Sequence, residues 1–515
     1  MRTSSYEIIL PLMDGEGKKI DDRVLLVNGL YGAMDVVKAE EAEKFKAGDF
    51  AGLPFALRER LALRGHITRK DEAGELADLV LLSHIHKNVF GRGGVSLVIM
   101  PTYDCNFRCP YCFEQHRLKK GQDWLDSTMS EEMIDTIFMA LADYKKRGYA
   151  LRGCTFYGGE PFLEKNLPVA RKIAERCKAL DMDIGAITNG YELDAYIDFM
   201  EEYKVKDLQI TVDGVAEVND RRRVHKDGLP TYDRILENVK LALSHGVEVN
   251  LRVNVGKENL HGIGALIDDM KTRGLLEKDE NRAAFSYYFK ATNDDSHPEK
   301  DIAEQDILEE LMKYGFTIDE AISLQSQYSG IDSELRDFFK KEGYPAFDPG
   351  YCGSEKGMLV LDPFGKVYSC WDTVGKEEDA VGIADPETRR FLWDFAKAKW
   401  RTRTVDFMEA CRLCPYAFIC RGGCASRAKA AYDDYFREFC GEVKEIFAFV
   451  TSRAAGKEWL DNQEAELTLS LAGPISRLTE AEREVIMKSR SQKEIFAILQ
   501  EVGLCMEEKK AFPND

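Results

Sequence analysis

The sequence predicts an α/β fold in which parallel strands are joined by crossover helices. Two observations carry that prediction. Between residues 94 and 291, six short apolar runs alternate with amphipathic stretches of helical period, a rhythm that crossover-connected parallel strands satisfy. The polar residues of these runs gather at their C-terminal ends, where barrel-type α/β folds place their active sites.

The first strand is expected at 95–100, just before a loop bearing three cysteines. A helix follows, with Met133, Ile134, Ile137, Phe138 and Leu141 on one face. Ser130 and two glutamates open it, and Gly148 closes it. Further strands are expected at 154–157, 184–187, 208–212, 247–253 and 285–289, with helical segments such as 232–245 between them. Residues 1–93 read as a separate small α+β module. Its strands are expected at 6–11 and 24–28, its helices at 40–46 and 54–63, and a turn and strand at 65–68. Residues 292–347 are charged and mostly helical, a linker or insertion with a loop at Asp294, Asp295, His297 and Pro298. Residues 348–453 carry a second cysteine group. A helical tail, 454–515, contains a helix over 479–499 opened by a Thr479/Glu482 capping box.

At 515 residues the chain is long enough for two to four domains and a large core. Its net charge of −19 argues against a broad nucleic-acid or anionic-membrane surface, while allowing a basic peptide partner. The first residues lack the basic and apolar regions of a secretory signal, and the longest apolar runs are too short to span a bilayer. Thirteen cysteines without such a signal point to thiols and metal rather than disulfides, and to the cytoplasm.

Cys105, Cys109 and Cys112 form a C-x3-C-x2-C run. Three thiolates on one tight loop can hold three irons of a [4Fe–4S] cube and leave the fourth open to a ligand. A zinc site is the alternative, although zinc normally takes four protein ligands. The second group is Cys352-x12-Gly365-x4-Cys370, then Cys411-x2-Cys414-x5-Cys420-x3-Cys424-x15-Cys440. Seven thiols in this pattern exceed what core packing explains, and two zinc sites are again the alternative. Cys154, Cys177 and Cys505 lack partners at ligand spacing and read as buried thiols. His84 and His86 form a candidate metal pair on a strand, or a plain surface or core pair, since no third ligand is evident. Gly158, Gly159 and Glu160 follow Tyr157 at one strand end, and Asn189, Asp213, Arg252 and Asn254 stand at or near others. Each is either a ligand contact or an ordinary strand-end turn or surface pair.

The cysteine spacing, with aromatic Tyr111 before the last thiol, resembles the radical S-adenosylmethionine (SAM) superfamily. The resemblance implies a partial, TIM-like (β/α)6 barrel. It implies SAM chelated to the open iron of the Cys105/Cys109/Cys112 cluster and cleaved to a 5′-deoxyadenosyl radical. It assigns SAM contacts to Tyr111, Gly158, Gly159, Glu160, Asn189, Asp213, Arg252 and Asn254, with Glu160 toward the amino group and Arg252 toward the carboxylate. The second cysteine group resembles the SPASM extension, a domain with two auxiliary [4Fe–4S] clusters, which brings the total to three. By position, Cys411, Cys414, Cys420 and Cys440 fill one auxiliary cluster. Cys352, Cys370 and Cys424 serve the other, whose fourth ligand is missing.

The activity so implied is that of a ribosomal-peptide maturase installing a crosslink, a cysteine thioether above all. An alternative is an anaerobic sulfatase-maturating enzyme that makes formylglycine. Those enzymes place a catalytic aspartate directly after the cysteine matching Cys370, where this chain has Trp371 and then Asp372. Carbon–carbon crosslinking, epimerisation, or a degenerate binding or electron-transfer protein complete the range. The N-terminal module is compatible with a winged-helix domain that holds a leader peptide. Expected partners are a precursor peptide and a low-potential flavodoxin- or ferredoxin-type donor, without nucleic acid or membrane.

Overall fold

The computed structural model describes residues 1–87, 94–277, 282–292, 301–341, 348–489 and 492–504. The expected loop at Asp294, Asp295, His297 and Pro298, and Cys505, lie outside them. The chain divides into two compact units. One comprises Met1–Arg92, Gln327–Cys352 and Arg403–Asp515; the other comprises Gly93–Ser326 and Gly353–Thr402. Compactness thus draws its line inside the 348–453 segment.

In the first unit, β1 (Arg2–Thr3), β2 (Glu7–Met13), β3 (Lys19–Asn28) and β4 (Met34–Lys38) lead to α1 (Ala39–Lys46), α2 (Phe55–Leu63), β5 (Ile67–Thr68) and α3 (Glu72–Ile85). β2, β3 and β4 form an antiparallel meander, and β1 pairs with β5. β2 alternates buried and half-buried positions, so Ile8, Leu10 and Leu12 share the core face. Ala42, Phe45, Leu57 and Leu61 from the two helices close over Leu26 and Val37 of the sheet. Helix Val443–Asn462 packs against β2. Gly456 allows this, because a Cβ there would stand 1.7 Å from the Met13 carbonyl oxygen. The expected Thr479/Glu482 capping box opens helix Glu480–Lys488. The strand expected around His84 and His86 is instead the end of α3, capped at its start by Asp71. Residues two apart on a helix point about 200° apart, so these histidines do not form a pair.

A buried ion network pins this unit together. His66 Nδ1 lies 2.9 and 3.0 Å from the two oxygens of Glu7, and its Nε2 lies 2.9 Å from Asp35 Oδ2. Arg64 Nε donates to the same Asp35 oxygen at 2.6 Å. Burial alone would lower the His66 pKa, but the flanking Glu7 and Asp35 carboxylates raise it to about 9. The stabilisation from the imidazolium is therefore complete below the unfolded value of 6.5 and disappears as pH rises through about 9. Thermal unfolding between pH 7 and 10 should show a drop on the order of a few kcal/mol. His66→Gln should flatten that slope; an unchanged slope would mean that His66 folds neutral.

The second unit is built on one ten-stranded sheet. β6 (Val95–Ile99), β7 (Leu151–Phe156), β8 (Asp183–Thr188), β9 (Leu208–Val212), β10 (Val249–Val255) and β11 (Phe285–Ala291) are the six strands expected from sequence. They lie side by side in chain order and pair in parallel. Beyond β6 the sheet continues with β12 (Met358–Leu361), which pairs parallel to β6. β13 (Lys366–Tyr368), β14 (Gly382–Asp385) and β15 (Arg390–Trp393) follow in antiparallel pairing. β10 shows how the sheet is sided. Val249, Leu251, Val253 and Val255 are buried, while Arg252 stands on the opposite face, level with Thr211 of β9 and Tyr288 of β11. Among the described residues no helix is long and apolar enough to cross a membrane.

Candidate active site

The cysteine loop leaves β6 and is fastened at once. Thr102 Oγ1 accepts the Asp104 N–H at 3.0 Å, Asp104 Oδ1 accepts the Cys105 N–H at 2.8 Å, and Lys165 Nζ lies 2.6 Å from Asp104 Oδ2. Cys105 is buried, and its sulfur accepts the Phe107 N–H at 3.3 Å. The Cys112 N–H donates to the Cys109 carbonyl at 3.1 Å, closing the loop back on itself. Burial pushes the Cys105 thiol up to about 12 and Cys112 to about 11, and raises Cys109 as well. The opposing pull is shared, because the guanidinium of Arg117 bears on all three sulfurs. Arg117 is itself 4% exposed and paired with Glu114. A positive charge held there favours the thiolates that iron requires.

The Gly-Gly turn lies against this loop. Gly158 and Gly159 have φ of 74° and 50°, and a Cβ on Gly159 would meet the Asp104 carbonyl oxygen at 2.2 Å. The Glu160 N–H donates to that same oxygen at 2.7 Å. The Glu160 side chain points into protein. Its Oε1 accepts the Thr188 hydroxyl at 2.5 Å and the Phe162 N–H at 2.9 Å, and its Oε2 accepts the Asn189 N–H at 2.7 Å. Burial nonetheless raises its pKa to about 7. Asn189 Nδ2 donates to Asn106 Oδ1 at 2.7 Å and lies 4.0 Å from the Cys105 sulfur.

Tyr111 is clamped from two sides. The Arg222 guanidinium lies 4.9 Å over its ring, and Arg223 donates to its hydroxyl at 2.9 Å. Asp213 in turn accepts from Arg222 Nε at 3.1 Å and bears on Cys109. Arg252 Nε donates to Asn254 Oδ1 at 2.8 Å, and Asn259 bridges the carbonyls of Asp213 and Asn254 at 2.5 and 2.8 Å. Tyr157 lies among Glu114, Asp372, Cys112 and Arg252. The positions expected at the site are thus gathered on one loop and four strand ends. Glu114, Arg117, Arg222 and Arg223 belong beside them but match no motif; the only sequence signal was charge close behind the cysteines and the fourth strand.

The donor set fits an iron–sulfur cube carrying an amino-acid ligand: three thiols on one loop, a guanidinium to offset their charge, and one buried carboxylate oxygen, Glu114 Oε1, with no partner among the described residues. No group of three His, Cys, Asp or Glu among the described residues is arranged to hold a single metal ion. Cube ligands need not converge in that way, since each iron takes its own thiolate.

The second cysteine group is divided between the units. Cys411, Cys414, Cys420 and Cys440 are mutual neighbours in the first unit, faced by Lys444. Burial pushes Cys411 up to about 12. Arg403, 1% exposed, ties their loops by donating to the carbonyls of Gly422, Gly423 and Arg437, each at 2.8 Å. Cys352 and Cys424 both neighbour Tyr351 in the same unit, and Cys370 follows β13 in the other. Cys154 and Cys177 are buried beside one another.

Residues 99–270 match the model of the Radical SAM superfamily. A cysteine-type anaerobic sulfatase-maturating enzyme of Clostridium novyi is 23% identical over 378 residues, 68% of this chain and 94% of that protein. An Fe-coproporphyrin III synthase of Methanosarcina barkeri is 25% identical over 180 residues, 35% of this chain and 40% of that one. The chain likewise spans 48% of the GTP 3′,8-cyclase of Synechocystis sp., so these two matches cover half of each relative or less. Native anSMEcpe with bound AdoMet and Kp18Cys peptide superposes with a TM-score of 0.52 at 18% identity, covering 71% of this chain and 99% of that one.

Proposed function

We propose that this chain, whose residues 99–270 match the Radical SAM superfamily, is a radical SAM peptide maturase that crosslinks a ribosomally made precursor through a cysteine thioether. The observation that carries this reading is the inventory of the second cysteine group. Four thiols form one neighbourhood, and the sequence pattern of the group leaves three more, Cys352, Cys370 and Cys424, which the SPASM resemblance assigns to a second cluster. A set of three thiols would leave one corner to water, to a non-cysteine side chain or to a substrate thiol, and the last is the donor this reading takes. When bound, the cluster and SAM would supply the radical that removes hydrogen from carbon.

The chain's own residues hold and shield that chemistry. Cys105, Cys109 and Cys112 are the ligands we assign to the SAM-binding cluster. The Gly158–Gly159 turn and Asn189 press on their loop, Tyr111 is its clamped wall, and Asp213, Arg252 and Asn254 line the polar face for SAM. Cys411, Cys414, Cys420 and Cys440 are assigned one auxiliary cluster. The meander β2–β4 with α1–α3 is proposed to hold the leader as an added strand. The enzyme is placed in the cytoplasm with a flavodoxin- or ferredoxin-type donor.

Two observations favour a second reading, formylglycine formation. The sulfatase-maturating relative is matched over 94% of its length, and Asp372, one place later than that chemistry expects, neighbours Tyr157 inside the site. The test is the intact mass, under anaerobic conditions with SAM and reductant, of a short cysteine-containing peptide drawn from the reading frames next to this gene and of a cysteine-containing sulfatase peptide. Loss of two hydrogens per site from the first, with its cysteines closed to alkylation, supports the thioether. Loss of sulfur from the second, with the first unchanged, replaces it with the sulfatase reading.

A further inference from the structure

We propose that the site formed by Cys411, Cys414, Cys420 and Cys440 has a second function: metal held there is the structural seat of the N-terminal module and fixes the position of α3. This rests on the assignment of a cluster to those four thiols, and not on the identity of the peptide or of the bond formed.

The cysteine segment has little regular structure of its own. It contains two three-residue turns, Val405–Phe407 and Glu409–Cys411, and the four-residue helix Ala417–Cys420. Turns this short do not persist unaided. Metal bound by four thiolates would supply what is missing, since binding free energy at such a site is folding free energy.

The module rests on this segment at identifiable points. The Tyr6 hydroxyl donates to the Arg412 carbonyl. Gly29, whose N–H donates to the Tyr6 carbonyl at 2.9 Å, lies so close to Pro415 that a Cβ would stand 1.8 Å from its carbonyl oxygen. Arg412 and Pro415 lie on either side of Cys414. Tyr31, two residues beyond Gly29, donates its hydroxyl to Asp78 of α3. Cys411 is buried in one apolar cluster with Tyr6, Leu79 and Leu82 of the module and with Val405 and Phe418 of the segment. The other side of the module is independent of the cysteines. There α1 and α2 close over β3 and β4 in a separate cluster, whose buried members all lie between Leu26 and Ile67. Loss of metal is therefore felt in α3 and not in α1 or α2. Because the module is proposed to receive the peptide, loading of these thiols would precede its capture.

The test is hydrogen exchange, read by mass spectrometry on full-length protein loaded anaerobically with iron and sulfide, with iron per chain measured alongside. Cys414→Ala/Cys420→Ala is expected to speed exchange in α3 by about tenfold or more and to leave α1 and α2 within about twofold of native. Cys109→Ala, which takes iron from the other loop, is expected to leave α3 at the native rate. The proposal is overturned if α3 stays protected in the double variant, if α1 and α2 loosen with it, or if Cys109→Ala loosens α3 as much. Native iron content in the double variant would overturn the cluster assignment itself, and the proposal with it. Coupling of this kind is reciprocal, so Gly29→Ala, which keeps every cysteine, is expected to lose iron to a chelator about threefold faster than the native protein, or more. Release at the native rate is equally decisive against the proposal, and this arm is readable even if the double variant precipitates. No readout involves a peptide, so failure of the maturase reading would leave these results standing.

Discussion

Under the proposed cluster assignment, Cys109→Ala is expected to abolish SAM cleavage and to leave in place the iron assigned to the C-terminal cysteines. The loop from Cys105 to Cys112 provides three sulfurs, and alanine leaves two, with a gap beside Arg223 and Asp213. Outer partners of metal ligands cost about 10–100-fold when removed, so loss of a ligand itself should exceed that range. The measurement is 5′-deoxyadenosine released under a chemical reductant, together with iron per chain. Undiminished release would remove this loop from the chemistry. Loss of all iron would show that the variant had unfolded more than its own site, and Cys109→Ser, nearly isosteric, would then be the comparison.

The second large effect is expected from Gly159→Ala. The residue sits at φ 50°, a conformation that costs a side-chain-bearing residue about 1–2 kcal/mol on its own. The added methyl would also meet the Asp104 oxygen at 2.2 Å and the Tyr103 carbonyl carbon at 2.7 Å. Both are backbone atoms and cannot swing aside, so the turn must lift off the cysteine loop. That movement would break the Gly159 N–H contact to Glu114 and the Glu160 N–H contact to Asp104. SAM affinity should fall by more than about tenfold, with a lower melting temperature. Gly48→Ala, also at positive φ but with open space around it, controls for the conformational term. Equal effects of the two substitutions would show that contact with the loop is unimportant.

The parallel core was legible because its strands are long enough to show apolar runs and are separated by helices of clear period. β12–β15 were not read from sequence: each has three or four residues, too few to display an alternation. α3 escaped for another reason. It is apolar almost all round, burying Leu79, Leu81, Leu82 and Ile85 on successive faces, so no stripe marks it and its end passes for a strand. At the candidate site, the cysteine run and the Gly-Gly turn stood out in the sequence because metal ligation and tight turns restrict residue type. Glu114 and Arg117 were not. A buried ion pair two to five residues beyond a cysteine looks, in sequence, like any solvated helix surface.

The pairing of β6 with β12 bears on how the enzyme comes into being. Val98 finds its sheet neighbour Val360 only after most of the chain has been synthesised, and contacts so distant in sequence form late and slowly. Until then the strand that launches the cysteine loop has an open edge, a template for pairing with the wrong chain. A ribosome-bound or truncated product ending before residue 358 should therefore aggregate, and it should not retain iron at its first three cysteines. Cluster insertion in the cell would accordingly follow chain completion, which makes supply of the finished apoprotein, rather than translation speed, the step that chaperones and iron–sulfur carriers must serve.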